Sequence, residues 1–151
     1  MAKTELTAAS AVQIIQALKF TFILFGFALI FVAYKLPSQG ESAADMTVEF
    51  AISAIALVDI VLGFFLPRYL MRQAERTPRS NVQATPVQRW MTFGVIGLAF
   101  FQSCNLFAFT LHFLGARSTF VVILFTVGMC SMIVWDPGKP PSSVNGPIRP
   151  N

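Results

Sequence analysis

Charged residues are scarce in this sequence. Lys, Arg, Asp and Glu make up 12% of its 151 residues, whereas a soluble domain averages about 25%. This scarcity argues against an ordinary soluble domain. The composition is correspondingly apolar, with 55% hydrophobic residues and 16 phenylalanines, and it indicates a protein that resides in lipid.

Cysteine and histidine are scarce as well. Cys104 and Cys130 both fall inside apolar runs at different depths, so we expect buried thiols and no disulfide framework. His112 is the one histidine, without an acid pair or a cysteine at ligand spacing, so the sequence predicts no metal and no cofactor. There is also no glycine-rich phosphate loop and no nucleophile with a histidine partner. We therefore expect no catalytic residues and no enzyme activity.

The hydrophobic residues gather in four runs, each about long enough to cross a bilayer. The runs are Phe20–Leu36, Phe50–Leu66, Met91–Leu114 and Thr119–Trp135. Because hydrocarbon offers no water to backbone groups, and because no run alternates polar and apolar residues, each is predicted to be a helix. Lys19 comes too late, and Lys35-Leu36-Pro37 follows too directly, for the first run to be a cleaved signal peptide.

The connecting segments favour two hairpins. Pro37-Ser38-Gln39-Gly40 ends the first span, and Gly115-Ala116-Arg117-Ser118 is a tight turn that makes the third and fourth spans antiparallel neighbours. Five prolines follow in residues 136–151 and disfavour helix there. The sequence therefore predicts an all-α polytopic membrane protein. Residues 1–135 form four transmembrane helices as two antiparallel hairpins, and residues 136–151 form a disordered, Pro-rich cytoplasmic tail.

Basic residues are unevenly distributed. Five of the eleven lie between the second and third runs, namely Arg68, Arg72, Arg76, Arg79 and Arg89. By the positive-inside rule this segment and both termini are cytoplasmic, in a bacterial-type inner membrane. Topology thus accounts for the net charge of +4, and no nucleic-acid partner is expected. The predicted surroundings are the lipid bilayer and other membrane protein.

Asp59 is the most informative residue, because it lies one position from the centre of the second run. An acid at that depth is costly and usually functional. Gln102 and Asn105 share one helical face at the centre of the third run, and Thr126 lies near the centre of the fourth. The sequence predicts a polar midplane layer in which Asp59 faces Gln102 and Asn105, with glycines allowing close helix packing.

Two interpretations of Asp59 compete. In the structural one, a protonated Asp59 ties helices together through the two amides. In the functional one, Asp59 carries a proton or cation, or contacts a charged residue of a partner. At the outer edge, Glu49 and His112 share a depth and form a possible pair, although a lone interfacial histidine is more often a snorkelling polar cap.

The leading functional hypothesis is a non-catalytic accessory or scaffold subunit of a membrane complex, with other membrane subunits or further copies of itself as partners. The phenylalanines support it, because they point in too many directions for all of them to face a four-helix core. The alternative is a small proton- or cation-translocating, transporter-like oligomer centred on Asp59.

Overall fold

The computed structural model describes residues 7–36, 45–76 and 85–141, and these residues form four α-helices without any strand. The helices are α1 (Ala8–Lys35), α2 (Met46–Arg76), α3 (Pro86–Phe113) and α4 (Ser118–Val134). The first three are long and apolar enough to cross a membrane, whereas α4 is apolar but has 17 residues. The all-α class is confirmed, and the helices have the composition of a membrane-spanning protein.

Local capping makes the helices longer than the apolar runs within them. The Thr7 side chain accepts a hydrogen bond at the start of α1. Thr85 and Gln88 form a reciprocal capping box at the start of α3, where Pro86 takes the position that needs no backbone N–H. α2 continues through Pro67. The first three predicted spans are therefore largely the apolar parts of longer helices, whereas α4 has the length of its predicted run.

Helix α3 is the centre of the bundle. It contacts each of the other three helices, and the described residues of α1 and α2 do not contact one another. Glycines bring the neighbours close: Gly26 of α1 lies against Asn105, and Gly63 of α2 lies against the Phe101 ring. Half of the most apolar segment of α3 is buried, compared with 17% for the corresponding segments of α1 and α2.

This arrangement corrects the expected pairing of the helices. α3 and α4 run antiparallel and are joined by a short turn in which Gly115 adopts a φ of 73°, a conformation that favours glycine. α1 and α2 also run in opposite directions, but they do not form a packed hairpin. Each packs on α3 instead, because α3 offers a small-residue surface to both.

Charged side chains from α1 and α2 cap the two ends of α4. Lys19 Nζ donates hydrogen bonds to the carbonyl oxygens of Ile133 (2.9 Å) and Trp135 (2.8 Å). At the other end, Glu49 Oε1 accepts a hydrogen bond from the backbone N–H of Arg117 (2.9 Å). Each charge has the sign that its helix end favours. The first N–H groups and the last carbonyl groups of a helix have no partners within it, and these two side chains supply partners at the ends of α4.

The two tryptophans are buried within the bundle. Trp90 and Trp135 are 2% and 3% exposed. The Trp135 ring fits against Gly97 of α3, where a Cβ would lie 2.8 Å from it, and it also lies near Gly94, where a Cβ would collide with Ile15. Residues 135–141 are non-helical, as the prolines predict, whereas the rest of the predicted tail, 142–151, lies outside the described residues.

Candidate functional sites on the central helix

The polar residues near the middle of α3 form two clusters rather than one layer. Asp59 contacts Ser103, whereas Asn105 contacts Gln102. No hydrogen bond links the two pairs within the described part of the chain. The first pair, Asp59 and Ser103, is here called the acid cluster, and the second, Gln102 and Asn105, the amide cluster.

The acid cluster joins α2 to α3 through a single hydroxyl group. Ser103 Oγ contacts both Asp59 Oδ2 and the carbonyl oxygen of Phe100, the latter at 2.7 Å. A serine hydroxyl has one proton to donate. The Ser103 hydroxyl therefore donates either to the Asp59 carboxyl group or to the Phe100 carbonyl oxygen, and the first of these contacts links α2 to α3.

The other carboxyl oxygen of Asp59, Oδ1, has no hydrogen-bond partner among residues 7–36, 45–76 and 85–141. The side chain is half-buried on the flank of α2 rather than on its buried face. Beside it runs an exposed strip of α3 formed by Thr92, Ala99, Leu106 and Thr110, here called the α3 strip. Ala99 and Leu106 lie one turn before and after Ser103. The acid cluster thus borders a surface that no described helix covers.

The amide cluster is enclosed by α1 and α4. Asn105 and Gln102 are 0% and 6% exposed, and Asn105 Nδ2 donates to Gln102 Oε1 at 3.4 Å. Gly26 and Gly128 lie on either side of the Asn105 amide, so close that a Cβ on Gly128 would be 2.5 Å from Asn105 Oδ1. Two glycines therefore make the room in which this amide sits.

Two atoms of the amide cluster lack partners in the described part of the chain: Gln102 Nε2 and Asn105 Oδ1 are buried and unpaired. Asn105 Nδ2 also donates to Met129 Sδ at 3.7 Å. Exchanging the nitrogen and oxygen of both amides would keep the hydrogen bond between them and leave two unpaired atoms again, but it would remove the bond to Met129. The enclosure is too tight for a ligand of any size, since the glycine faces already touch the amide. We read this cluster as a packing element between three helices.

Thr126 does not join either cluster. Its side chain is exposed, and its hydroxyl donates to the carbonyl oxygen of Val122 in its own helix at 2.8 Å. The face of α4 that meets α3 carries Leu124 and Gly128 instead. Two residues separate Thr126 from Gly128, which places them about 200° apart around the helix. The position of Thr126 within the fourth run did not indicate on which side of the helix its side chain lies.

Glu49 and His112 have different partners. Glu49 is 2% exposed and lies beside Arg117, with 3.9 Å between Glu49 Oε2 and Arg117 Nε. His112 Nε2 donates to the carbonyl oxygen of Leu36 at the end of α1 (3.1 Å). Glu49 turns toward the start of α4 because the free N–H groups there attract a carboxylate, and the two residues serve separate helix ends.

Sequence reasoning missed Ser103 and the capping role of Lys19. Ser103 stands next to Gln102, but a serine in an apolar helix commonly bonds to its own backbone, so the residue type gave little signal. Lys19 directly precedes the longest apolar run of α1, and nothing in the sequence indicated that its side chain reaches the end of α4.

No set of three or more His, Cys, Asp or Glu side chains is grouped to hold a metal ion within the described residues. Cys104 is buried and Cys130 is exposed, and both are free thiols. Comparison of the chain with family models, with curated proteins and with solved structures finds no match. The two polar clusters and the surfaces beside them are therefore the candidate sites of function.

Proposed function

We propose that this chain is a non-catalytic, multi-pass inner-membrane protein that serves as an accessory or scaffold subunit of a membrane complex. The observation that carries the proposal concerns Asp59 Oδ1, which has no partner among the described residues and lies beside the α3 strip, which no described helix covers. A polar group left unpaired in hydrocarbon is costly. A transmembrane helix of a partner subunit that packs over the α3 strip and donates a hydrogen bond to Asp59 removes that cost.

The shape of the surface suits a helix. α1 and α2 both pack on α3 without touching one another, so the α3 strip forms the floor between them. Ala99 lies near the middle of the floor, and a small residue there lets a partner backbone approach closely. Interhelical hydrogen bonds of membrane proteins contribute roughly 0.6–2 kcal/mol each, enough to select one partner among many apolar helices.

The chemistry favours a different protein over a second copy. If two copies met through this surface, each would present the same strip to the other. Its hydroxyl groups are already used, because Thr92 donates to Gln88 and Thr110 donates to Leu106, both at 2.9 Å. A second copy therefore brings no free hydroxyl to Asp59, whereas a partner helix with its own donor does.

We propose that the end of the bundle that holds the starts of α1 and α3 is cytoplasmic, together with both termini. Arg68, Arg72 and Arg89 belong to this end, and it carries most of the basic residues of the sequence. The described start of the predicted tail, residues 136–141, follows α4 at this end. The opposite end has the Glu49–Arg117 pair.

Site-specific photocrosslinking tests the proposal in intact membranes. A photoreactive residue at Leu106, on the α3 strip, should crosslink to a transmembrane segment of another protein. The photoreactive residue placed at Ile123 instead is the matched control, because Ile123 is an exposed residue of α4. It lies near the level of Leu106, since its neighbour Leu124 contacts Cys104 of α3. Mass spectrometry of the Leu106 product identifies the crosslinked segment.

Crosslinking at Leu106 but not at Ile123, to one protein segment with a hydrogen-bond donor near its centre, supports the proposal. Crosslinking at both sites to many proteins would mean that the strip is an ordinary lipid-facing surface. A product that contains only a second copy of this chain would overturn the accessory role in favour of self-assembly.

The same unpaired Oδ1 also favours a second candidate, a proton- or cation-translocating oligomer that uses Asp59. The two functions respond differently to Asp59→Asn, which keeps an acceptor oxygen but removes the titrating group. In proteoliposomes with an internal pH dye, a carrier should show a proton flux that Asp59→Asn abolishes. The accessory subunit should show no flux above empty vesicles, and Asp59→Asn should still crosslink through Leu106.

A further inference from the structure

A second surface lies at the end of the bundle where α1 and α3 begin and α4 ends. An open groove of about 540 Å³ is lined there by α1, by Trp90 and by the segment that follows α4. Its volume falls in the range of small-molecule sites, which is about 300–1,000 Å³. Its apolar wall includes Val12, Ile15, Ile133 and Val134.

The groove lies at the level where the apolar segments stop. The longest apolar run of α1 starts directly after Lys19, and α4 ends at Val134. Toward the middle of the bundle, the groove is lined by side chains that prefer hydrocarbon. Toward the end of the bundle, it is lined by the segment that contains Asp136, Gly138 and Lys139. A molecule that fits this setting has an apolar part and a polar head.

The charged residues that line the groove favour an anionic head. Lys19 and Lys139 both line it, and Asp136 is the acid among its lining residues. Lys19 uses two of its three ammonium protons on the carbonyls of α4, which leaves one for a ligand. Asp136 is engaged with its own turn, where Oδ1 accepts from the Gly138 N–H at 2.9 Å. The net charge of the lining is positive.

We propose that this groove binds one anionic phospholipid, whose headgroup phosphate contacts Lys19 and Lys139 while an acyl chain lies along the apolar wall. Basic pockets between membrane helices are suited to anionic headgroups. The proposal is independent of the α3 strip, because none of the residues that line the groove belongs to that strip or to either polar cluster. Through Lys19, the same site touches the end of α4.

Native mass spectrometry of the protein released from nanodiscs tests this site. The nanodiscs contain equal amounts of phosphatidylglycerol and phosphatidylcholine, and the ratio of the two lipids retained on the protein is measured. Phosphatidylglycerol should be enriched on the unaltered chain. Lys139→Gln should lower the enrichment about fivefold, the effect expected of one basic residue at an anionic surface. Lys139 lies outside the helices and is exposed, so this variant keeps the fold.

Lys35→Gln is the matched control, because Lys35 is an exposed lysine at the opposite end of α1. It should leave the lipid ratio unchanged. Equal retention of both lipids by the unaltered chain, or an equal loss in both variants, would overturn the site. Addition of inorganic phosphate separates a lipid from a free anion. If millimolar phosphate removed the bound lipid, the groove would recognise phosphate alone and the lipid assignment would be wrong.

Discussion

The central helix α3 carries two polar clusters at nearly one depth, and they differ in what covers them. The amide cluster of Gln102 and Asn105 is enclosed by α1 and α4, whereas the acid cluster of Asp59 and Ser103 lies at an open flank of α2. Ser103 and Asn105 are two residues apart, which places them about 200° apart around the helix. The same short stretch of α3 thus serves a sealed interior on one side and an open surface on the other.

The two clusters differ in whether their unpaired polar atoms are enclosed by other helices. The amide cluster leaves two atoms unpaired, but glycines bring its neighbours into contact with it and no room remains for a ligand. The acid cluster leaves one oxygen without a partner among the described residues, at a flank that no described helix covers. A polar group that the fold closes over acts in packing, and one that the fold leaves open is available to a partner.

The largest effect should come from disturbing the sealed side. In Gly128→Ala the new Cβ meets Asn105 Oδ1 at 2.5 Å and Asn105 Cγ at 3.2 Å. Both atoms are held by packing, so the free energy of unfolding should fall by about 1–3 kcal/mol. Unfolding in detergent, followed by circular dichroism, measures this. Cys130→Ala, at an exposed position of the same helix, should change little, and an unchanged Gly128→Ala would show that the amide cluster is loosely packed.

A slightly smaller loss should follow from releasing the end of α4. Lys19→Met keeps the length of the side chain but removes the donors to the Ile133 and Trp135 carbonyls. The free energy of unfolding should fall by about 1–2 kcal/mol, the effect of a cation at a partly buried helix C-terminus. Lys35→Met serves as the control. Equal stability of the two variants would mean that Lys19 does not hold α4 in place.

The smallest effect is expected on the open side. Ser103→Ala removes a hydroxyl that contacts Asp59 and the Phe100 carbonyl. Because one interhelical hydrogen bond of a membrane protein contributes about 0.6 kcal/mol on average, the free energy of unfolding should change by less than about 1 kcal/mol. The same unfolding assay measures it. A decrease in the free energy of unfolding as large as that of Gly128→Ala would mean that the acid cluster contributes as much to stability as the amide cluster does.

Position along each helix could be predicted from the sequence, because it depends only on position within an apolar run. The runs predicted four helices, and the structure has four. Asp59 and the amides of Gln102 and Asn105 do lie near the middle of their helices, as the indexing from each run predicted. The tight turn at Gly115 also followed from its residues.

The side of each helix on which a residue lies could not be predicted. The incorrect contacts predicted for Asp59 and Thr126 have this common origin. Lipid and protein interior are equally apolar, so helices α3 and α4 carry hydrophobic residues on every side and show no amphipathic face. Nothing in the sequence therefore placed Asp59 toward Ser103 rather than Asn105, or turned Thr126 outward. For the same reason it did not reveal that α1 and α2 pack on α3 rather than on one another.

The central claim is that the open side of α3 receives a partner helix and the far side of α4 does not. Two matched substitutions test it most directly. Ala99→Trp fills the floor of the α3 strip, whereas Cys130→Trp places the same ring on the exposed face of α4. Both replace a small exposed residue, and both should leave unfolding in detergent unchanged.

Native mass spectrometry after gentle extraction then gives the mass of the assembly formed by each variant. The account predicts that the unaltered chain and Cys130→Trp retain a partner subunit, while Ala99→Trp is released as the chain alone. Retention of the same partner by Ala99→Trp, or the absence of any partner from the unaltered chain, would contradict it.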